Sequence, residues 1–296
     1  MRKCRCMLQI LSLTVLISLS VSGAAVFGAE PSSGAADTGA GTAADASAAQ
    51  NTASAPAKKK LTGKWYSRNG YWYCKRKGRK LKGGIFEVDG KKYLFDRKGR
   101  QLTGWRKVGR YKYYFRCAKG KKGYMLAGQK ADGIRLKKSG RAAPKGKRAK
   151  QKLPLLLEVQ KLVDRIVTPE MSKAEKLKAC YRYLLQNYHN YVVPEMGHTK
   201  GNWDIAYAAF LLDHNCGDCI SFAAAFAYCA NAVGYKNVKC VNDGSHCWAE
   251  VNGKFYDPHW EKCLHIDCYA IPSSMSGWGG RPDWAAHRTF IRNCDK

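Results

Sequence analysis

The sequence predicts an all-β module of short hairpin repeats, followed by an α+β domain. A period of about twenty residues between positions 61 and 142 predicts the repeats. Beyond residue 153, stretches with helical periodicity come first, and a stretch with two hairpin turns follows them. Charge divides the chain at the same place. Residues 58–150 hold 33 basic and 4 acidic residues, whereas residues 151–296 hold 16 and 15.

The N-terminal part predicts an export signal and a tether. A basic start at Arg2, Lys3 and Arg5 precedes an apolar run that ends in small residues, which is typical of a signal peptide over residues 1–29. Residues 30–57 are almost all Ala, Ser, Thr and Gly, so they cannot bury enough apolar surface to offset the entropy of ordering. We therefore expect a secreted protein with a disordered linker and no stable membrane span after cleavage. An uncleaved anchor is the alternative.

The basic module, residues 58–142, consists of four similar frames. Each frame begins with a leucine and has a glycine two residues later. The leucines are Leu61, Leu81, Leu102 and Leu126. A turn glycine such as Gly70 leads into an aromatic-rich strand, which ends at a second turn glycine such as Gly78. Each unit is thus a hairpin that must stack on its neighbours to bury its apolar face. Residues 143–152 are predicted to be a linker.

The cadence Leu-x-Gly … Gly-x-x-Tyr-x-Phe resembles the cell-wall-binding repeats, of choline-binding and glucan-binding type, in secreted Gram-positive proteins. The resemblance covers about 80 residues of this chain. It implies a location at the cell wall, with pockets between repeats that bind choline or sugars through aromatic side chains. The corresponding residues here are Trp65, Trp72, Tyr73, Tyr93, Trp105, Tyr113 and Tyr114.

The charge of the repeats departs from that family. A net charge of +29 over residues 58–150 makes a quaternary ammonium ligand a poor match. A polyanion such as teichoic acid, or another acidic glycan of the peptidoglycan layer, suits the module better. Two alternatives stay open. The aromatic residues are simply hairpin core beneath a solvated lysine face, or the basic and aromatic face binds nucleic acid. Export disfavours nucleic acid, and we expect none as a partner.

The second domain, residues 153–296, begins with three predicted helices, in LPLLLEVQKLVDRIV, SKAEKLKACYRYLLQNY and WDIAYAAFLLDHN. Ser172 and Glu175 have the spacing of a capping box at the start of the second helix. A fourth helix follows from about Cys219 to Val233. Asp218 can cap its start, and Gly234 lies where a C-terminal cap belongs.

Cys219 and Cys216 form a Cys-x-x-Cys pair, but the predicted helix makes them unequal. Cys219 lies in the first turn, where free N–H groups and the helix dipole favour a thiolate. Cys216 precedes the helix and receives no such support. It is left as half of a disulfide or as a resolving thiol.

A tight turn at Asn252-Gly253 predicts the register of the strands that follow. Val251 then faces Lys254, and Trp248 faces Asp257. Because side chains alternate along a strand, His246 and Asp257 lie on one face, within reach of a hydrogen bond. A second turn at Asp243-Gly244 would place Cys240 directly opposite Cys247.

Gly-Asp-Cys at a helix start, His-x-Trp-x-Glu on a strand and Tyr-Asp-Pro on the next strand together resemble the transglutaminase-like branch of the papain-type cysteine enzymes. The resemblance covers roughly residues 155–265. It implies a nucleophile helix packed on an antiparallel β-sheet, with Cys219 as nucleophile, His246 as general base and acid, and Asp257 orienting the imidazole. It also implies attack on an amide of a peptide or protein substrate, a thioester intermediate and no cofactor.

The resemblance leaves the oxyanion donors and the outcome of the reaction partly open. The backbone N–H of Cys219 is one donor. Trp203 is a candidate for the side-chain donor. A structural role as a buried tryptophan is an equally good interpretation of this residue. Hydrolysis and transamidation share the same three residues, so the sequence does not separate them.

Other interpretations of the cysteines also stay open. Eleven cysteines remain after signal cleavage, which fits one free nucleophile and up to five disulfides. Cys240 with Cys247, and Cys263 with Cys268, are local possibilities. A zinc-stabilised binding module would use Cys216 and Cys219 with nearby His or Cys residues. The Cys-x-x-Cys pair could instead be a redox motif. A degenerate domain in a non-catalytic wall-binding or adhesin protein is a further alternative.

Overall fold

We describe a computed structural model of the chain, which covers residues 61–193 and 200–296. The predicted signal peptide and tether, residues 1–29 and 30–57, lie outside the described residues. Residues Lys60–Lys296 make up one compact unit. None of the helices in the described ranges combines the length and the hydrophobicity needed to cross a membrane.

The basic module forms a series of small antiparallel sheets, as its repeats predict. Two are three-stranded, β1 to β3 and β4 to β6, and two are two-stranded hairpins, β7 with β8 and β9 with β10. The strands are β1 (Lys64–Arg68), β2 (Tyr71–Arg76), β3 (Arg79–Lys80), β4 (Gly84–Val88), β5 (Lys91–Phe95), β6 (Gln101–Leu102), β7 (Gly104–Val108), β8 (Tyr111–Phe115), β9 (Lys130–Ala131) and β10 (Ile134–Arg135). Both turn residues between β1 and β2, Asn69 and Gly70, have positive φ, as two-residue hairpin turns require.

The second domain has five helices and a four-stranded antiparallel sheet. The helices are α1 (Gly146–Ile166), α2 (Lys173–Asn187), α3 (Trp203–His214), α4 (Cys219–Val233) and α5 (Pro258–Leu264). The remaining strands are β11 (His189–Asn190), β12 (Cys216–Gly217), β13 (Val238–Asn242), β14 (Cys247–Val251), β15 (Lys254–Tyr256) and β16 (Phe290–Asn293). The sheet has the order β15-β14-β13-β16, so the domain is of the predicted α+β class.

Helix α4 is the centre of this domain. It contacts β13 and β14 on one side and α1, α2, α3 and α5 on the others. Every residue from Ile220 to Asn231 is buried. Alanines at five of these positions allow the close approach of so many neighbours, and Phe222 and Phe226 fill the gaps. The helix begins and ends where the sequence predicts, with Asp218 as N-cap and Gly234 in the left-handed C-cap conformation.

The predicted linker, residues 143–152, differs from the structure. Helix α1 begins at Gly146, so most of this segment is helical. Lys152 and Leu153 are buried, and Lys152 Nζ donates to the backbone carbonyl of Lys296 at 2.7 Å. The basic residues and the glycine of segment 143–152 favour a loop, but tertiary contacts outweigh that preference.

The third and fourth hairpins share a core with the second domain. Trp105, Ile134 and Leu136 belong to the same buried cluster as Leu153 and Val159 of α1. Outside this core, Arg106 forms an ion pair with Asp164 of α1. The first two sheets form a separate cluster, made of Cys74, Leu81, Val88, Tyr93 and Phe95. The charge boundary in the sequence is therefore not a packing boundary.

The turn between β13 and β14 also differs from the prediction. Asn242 pairs with Cys247, and Cys240 pairs with Ala249, so a register with Cys240 opposite Cys247 is wrong by two residues. The cause is Asp243, whose Oδ1 accepts hydrogen bonds from the backbone N–H groups of Ser245 and His246. These bonds stabilise a four-residue loop in place of a two-residue turn. Cys240 and Cys247 are nevertheless diagonal neighbours, with their sulfur atoms 3.5 Å apart.

Candidate active site

The start of α4 holds Cys219 in place. Asp218 Oδ1 accepts from the backbone N–H of Ser221 at 3.0 Å and from its hydroxyl at 2.9 Å. Only glycine fits at position 217 without a clash, since a Cβ there would lie 2.4 Å from Cβ of Ser221. Cys219 is the first helical residue and is partly exposed. It therefore combines access from solvent with the positive end of the helix dipole, as a thiolate nucleophile requires.

A two-stranded parallel sheet fixes the backbone just before the cysteine. In this sheet, β11 pairs with β12, with His189 opposite Cys216 and Asn190 opposite Gly217. Cys216 is buried in this strand. The two cysteines of the Cys-x-x-Cys pair therefore differ in accessibility.

His246 lies at the end of the Asp243 loop, directly before β14. Its Nε2 is 2.5 Å from Oδ2 of Asp257, and Cys219 is one of the neighbouring groups that raise its pKa. With Nε2 facing Asp257, Nδ1 is the ring nitrogen that is left to face the thiol. The contact between His246 and Asp257 is the one that the turn register predicts.

Asp257 is fully buried and is held by three donors. Oδ2 accepts from His246 and, at 3.2 Å, from Nε1 of Trp284. Oδ1 accepts from the backbone N–H of Trp260 at 2.9 Å, because Asp257 is the N-cap of α5. The carboxylate has little rotational freedom, so it fixes the direction of the imidazole. The indole of Trp260 also packs edge-on against the His246 ring, with ring centroids 5.1 Å apart.

The environment raises the pKa of His246 to about 10. Burial by itself lowers this pKa, because it penalises the charged form. The Asp257 carboxylate and the hydrogen bonds to Asp257 and Cys219 outweigh burial and stabilise the imidazolium. His246 is therefore protonated at neutral pH, which is the form that pairs with a thiolate in cysteine enzymes.

A second imidazole lies beside the site, and sequence reasoning missed it. His259, on the first turn of α5, has its ring centroid 6.4 Å from that of His246. Its Nε2 is 2.8 Å from Oδ1 of Asn190, and the Asn190 amide is 3.4 Å from the sulfur of Cys263. Burial lowers the pKa of His259. The only signal in the sequence was its position two residues after Asp257.

The structure places Trp203 away from the nucleophile. Its indole packs under the guanidinium of Arg292 at 5.8 Å, and its neighbour Asp204 accepts from the Tyr228 hydroxyl at 2.7 Å. Tyr228 lies nine residues after Cys219 on α4, which is about 14 Å along the helix. Trp203 is buried in the core, so the prediction that it donates to an oxyanion is not supported.

The other cysteine interpretations gain little from the geometry. The thiols of Cys240 and Cys247 are buried and close to each other, whereas Cys263 is exposed and Cys268 is buried in a different environment. In the described ranges, 61–193 and 200–296, no group of three His, Cys, Asp or Glu side chains is arranged to hold a metal ion.

The aromatic residues of the repeats divide into two groups. Tyr93, Trp105 and Tyr114 are buried in the hairpin cores, which fits the core alternative for these three and not a role as ligand contacts. Trp105 Nε1, for example, donates to Asp132 at 2.7 Å. The second group is partly exposed and can still contact a ligand. It consists of Trp65, Trp72, Tyr73 and Tyr113.

Comparison with known families identifies the second domain. Residues 160–260, about a third of the chain, match the family model of the transglutaminase-like superfamily. This segment is therefore a transglutaminase-like domain, and it contains Cys219, His246 and Asp257. A comparison with curated proteins finds no match.

Comparison with solved structures finds proteins with choline-binding repeats. The pneumococcal cell wall endolysin from phage Cp-1, complexed with choline, is 26% identical with a TM-score of 0.26, covering 30% of this chain and 27% of its own. The choline-binding domain of Spr1274 in Streptococcus pneumoniae is 27% identical with a TM-score of 0.24, covering 28% of this chain and 94% of its own. Choline-binding protein F from Streptococcus pneumoniae, crystallised in the presence of a peptidoglycan analogue, is 30% identical with a TM-score of 0.24, covering 27% and 26%.

These likenesses are local. This chain spans about 27% of the length of the endolysin. TM-scores of this size do not establish a common fold for the whole chain, so the repeats are described by their own hairpin geometry.

Proposed function

We propose that the protein is a cysteine enzyme that attacks peptide amide bonds through Cys219, His246 and Asp257, and that its hairpin repeats hold it at the cell wall. The observation that carries the proposal is the 2.5 Å contact of His246 with the buried Asp257, together with the placement of Cys219 at the start of α4, near enough to raise the pKa of His246. All three residues lie within the segment that matches the transglutaminase-like family model.

The acylation step follows from this arrangement. The Cys219 thiolate attacks the amide carbonyl carbon, and the C–S bond forms as the carbonyl electrons move to oxygen. The free backbone N–H of Cys219 at the helix start can donate to this oxyanion. His246 then gives its proton to the leaving amine as the C–N bond breaks, and a thioester remains on Cys219.

The second step regenerates the thiol. Neutral His246 takes a proton from water or from an amine, which attacks the thioester carbonyl. The C–S bond breaks, and the product is a carboxylic acid if water attacks or a new amide if an amine attacks. Both outcomes use the same residues, so the accessible acceptor decides between hydrolysis and transamidation.

Asn190 is the side chain best placed to supply a second oxyanion donor, in place of Trp203. It sits on β11 opposite Gly217, two residues before the nucleophile. The 2.8 Å contact with His259 fixes the orientation of its amide. Its Nδ2 lies 3.4 Å from the sulfur of Cys263, so donation to a developing oxyanion requires the amide to rotate away from its contact with His259.

Incubation of the protein with purified cell-wall peptides, with and without an added primary amine, tests the enzyme proposal. Mass spectrometry is expected to detect a thioester on Cys219 and then either hydrolysed or amine-linked product. The Cys219→Ala variant is the control and forms neither. No adduct and no product from the wild-type protein, with a range of wall peptides, would favour the non-catalytic wall-binding alternative.

The anchoring part of the proposal rests on the charge and the exposed aromatic residues of the repeats. Several cations lie over aromatic rings there, such as Arg141 over Tyr111 at 3.8 Å and Lys91 over Tyr124 at 4.2 Å. Sedimentation with purified Gram-positive walls, with and without teichoic acid, tests it. We expect binding that falls when teichoic acid is removed. Equal binding to both wall preparations would contradict an anionic ligand.

A further inference from the structure

A cleft of about 490 Å³ lies where the hairpin repeats meet helices α1 and α2. We call it the junction cleft. Five basic side chains and one acidic side chain line it. They are Arg100, Arg106, Lys119, Lys173, Lys176 and Asp164. It is distinct from the candidate active site, since none of its lining residues is Cys219, His246 or Asp257.

The positive charge of the junction cleft is only partly neutralised. Arg106 forms a bidentate ion pair with Asp164, and Arg100 pairs with Asp96 at 2.6 Å. Among the residues that the structure describes, the three lysines of the cleft form no ion pair. Such a group of cations at the edge of a concave surface attracts an anion.

The charged forms of two of these lysines, Lys173 and Lys176, are destabilised by their surroundings. Burial lowers the pKa of Lys176, and the charge of Lys119 lowers it further. Burial likewise lowers the pKa of Lys173, although its ammonium group lies 4.1 Å above the ring of Tyr235. An anion among these groups would offset both the lost hydration and the mutual repulsion.

The rest of the lining suits a sugar or polyol. Tyr71 and Trp72 provide aromatic surface, and the Arg100 guanidinium covers Tyr71 at 4.7 Å. Trp72 is held in place by close packing on Gly120, where a Cβ would come within 3.0 Å of the indole. Thr103 adds a hydroxyl group that can hydrogen-bond a ligand. Gln101 Nε2 and Ser172 Oγ also line the cleft, but they already bond to backbone groups of the protein. The junction cleft thus combines basic side chains, which suit an anion, with aromatic and neutral polar side chains, which suit a sugar or polyol.

We propose that the junction cleft binds a phosphate group carried on a sugar or polyol chain, with Arg100 and Lys119 of the repeats and Lys173 and Lys176 of α2 around the phosphate. The inference rests on the anchoring part of the proposed function and deepens it. It assigns the ligand to the junction cleft, which is formed by residues of both the repeats and the second domain. Wall binding then depends on two lysines outside the basic repeats.

The test uses the full chain with Lys173→Gln and Lys176→Gln combined. The probe is a short oligomer of glycerol phosphate, and binding is measured by titration calorimetry. Since each charge-assisted hydrogen bond to a phosphate contributes strongly, we expect binding at least about tenfold weaker than wild type. The control is Lys178→Gln with Lys254→Gln, which removes the same charge from exposed positions outside the cleft. It should bind within about twofold of wild type.

Four results would overturn the inference. The first is equal loss of affinity in both double variants, which would indicate general charge attraction. The second is wild-type affinity in Lys173→Gln/Lys176→Gln. The third is inorganic phosphate binding as tightly as the oligomer, which would indicate a simple phosphate site. A neutral oligomer of N-acetylglucosamine should bind more weakly than glycerol phosphate, and equal binding would contradict phosphate recognition.

The same measurements separate this inference from the proposed function. Alkylation of Cys219 by iodoacetamide should be unchanged in Lys173→Gln/Lys176→Gln, since the cleft is distinct from the active site. If the variant keeps wild-type affinity while the wild-type protein still binds walls, the anchor stands and the cleft assignment fails. If the wild-type protein binds neither walls nor the oligomer, the anchor itself fails.

Discussion

At the scale of single residues, His246 is held by neighbours from three parts of the chain. Cys219 comes from the start of α4, Asp257 from the end of β15, and Trp284 supports Asp257 from the loop before β16. The sequence identified the first two from the helix start and one turn. Sequence patterns alone do not assign Trp284 to the site. Only the folded chain shows that its indole donates to Asp257, because the two residues are 27 positions apart.

The charge on His246 should control the reactivity of Cys219. We predict that, at pH 6 to 7, iodoacetamide alkylates Cys219 about tenfold or more faster in the wild-type protein than in His246→Ala, because the imidazolium stabilises the thiolate. Peptide mass spectrometry over time gives the rate. His287→Gln, which replaces an exposed histidine, is the control, and its Cys219 should be alkylated at the wild-type rate. Equal rates at Cys219 in the wild-type protein and His246→Ala would show that the pair is not formed.

The raised pKa of His246 also predicts how the stability of the folded protein depends on pH. The pKa of His246 is raised from 6.5 to about 10, so its contribution to stability is complete below about pH 6.5 and is lost as the pH rises through about 10. The difference in free energy of unfolding between wild type and His246→Gln should therefore shrink over this range. Urea denaturation at pH 6, 8 and 10 measures it.

His287→Gln, which replaces an exposed histidine, is the control for this experiment. Its difference from the wild-type protein should not show the same decline between pH 6 and 10. A constant difference for His246→Gln would mean that the His246–Asp257 pair does not stabilise the folded protein.

At the scale of elements, the start of α4 combines a structural role with a chemical one. Gly217 allows the strand β12 to pass close to Ser221, and Asp218 then satisfies the first free N–H groups of the helix. Helix α4 and its caps were predictable because the Gly, Asp and Ala signals are local. The loop before His246 was not, since Asp243 stabilises four residues with side-chain bonds that compete with a two-residue turn.

The N-cap gives a prediction at this scale. Asp218→Ala removes the acceptor for the backbone and hydroxyl groups of Ser221, so we expect a loss of about 1 kcal/mol of stability. Alkylation of Cys219 should also slow, because the first turn of α4 is less well fixed. Asp218→Asn keeps a capping oxygen and is the matched control. If Asp218→Ala unfolds at the same urea concentration as the wild-type protein, the cap does not hold the helix start.

At the scale of the whole molecule, the repeats and the transglutaminase-like domain are less separate than charge suggests. The change from strongly basic to near neutral occurs near residue 150, but the hydrophobic core crosses that point through Trp105 and Leu153. The junction cleft lies over the same contact region. The repeats and the transglutaminase-like domain therefore have a fixed relation, in contrast to two domains on a flexible linker.

Truncation tests this shared core. Removal of residues 58–142 exposes apolar side chains of α1 that pack against Trp105, Ile134 and Leu136. Each large apolar side chain that becomes exposed lowers the free energy of unfolding by about 1.5–3 kcal/mol. We expect the thermal midpoint to fall by roughly 10 °C or more. Removal of residues 58–102, which form a separate cluster, should cost much less. Equal midpoints for the chain without residues 58–142 and the whole protein would show that the domains fold independently.

By itself, the sequence determined the class of both modules and predicted Cys219, His246 and Asp257 as the candidate site. It could do so because hairpin turns, helix caps and the alternation of a strand act over a few residues. Tertiary structure alone decided that Tyr93, Trp105 and Tyr114 are core, that Trp203 is remote from Cys219 and that residues 146–152 are helical. It also decided that Asn190 and His259 flank the active site. Each of these depends on contacts between segments far apart in the chain, which local patterns do not encode.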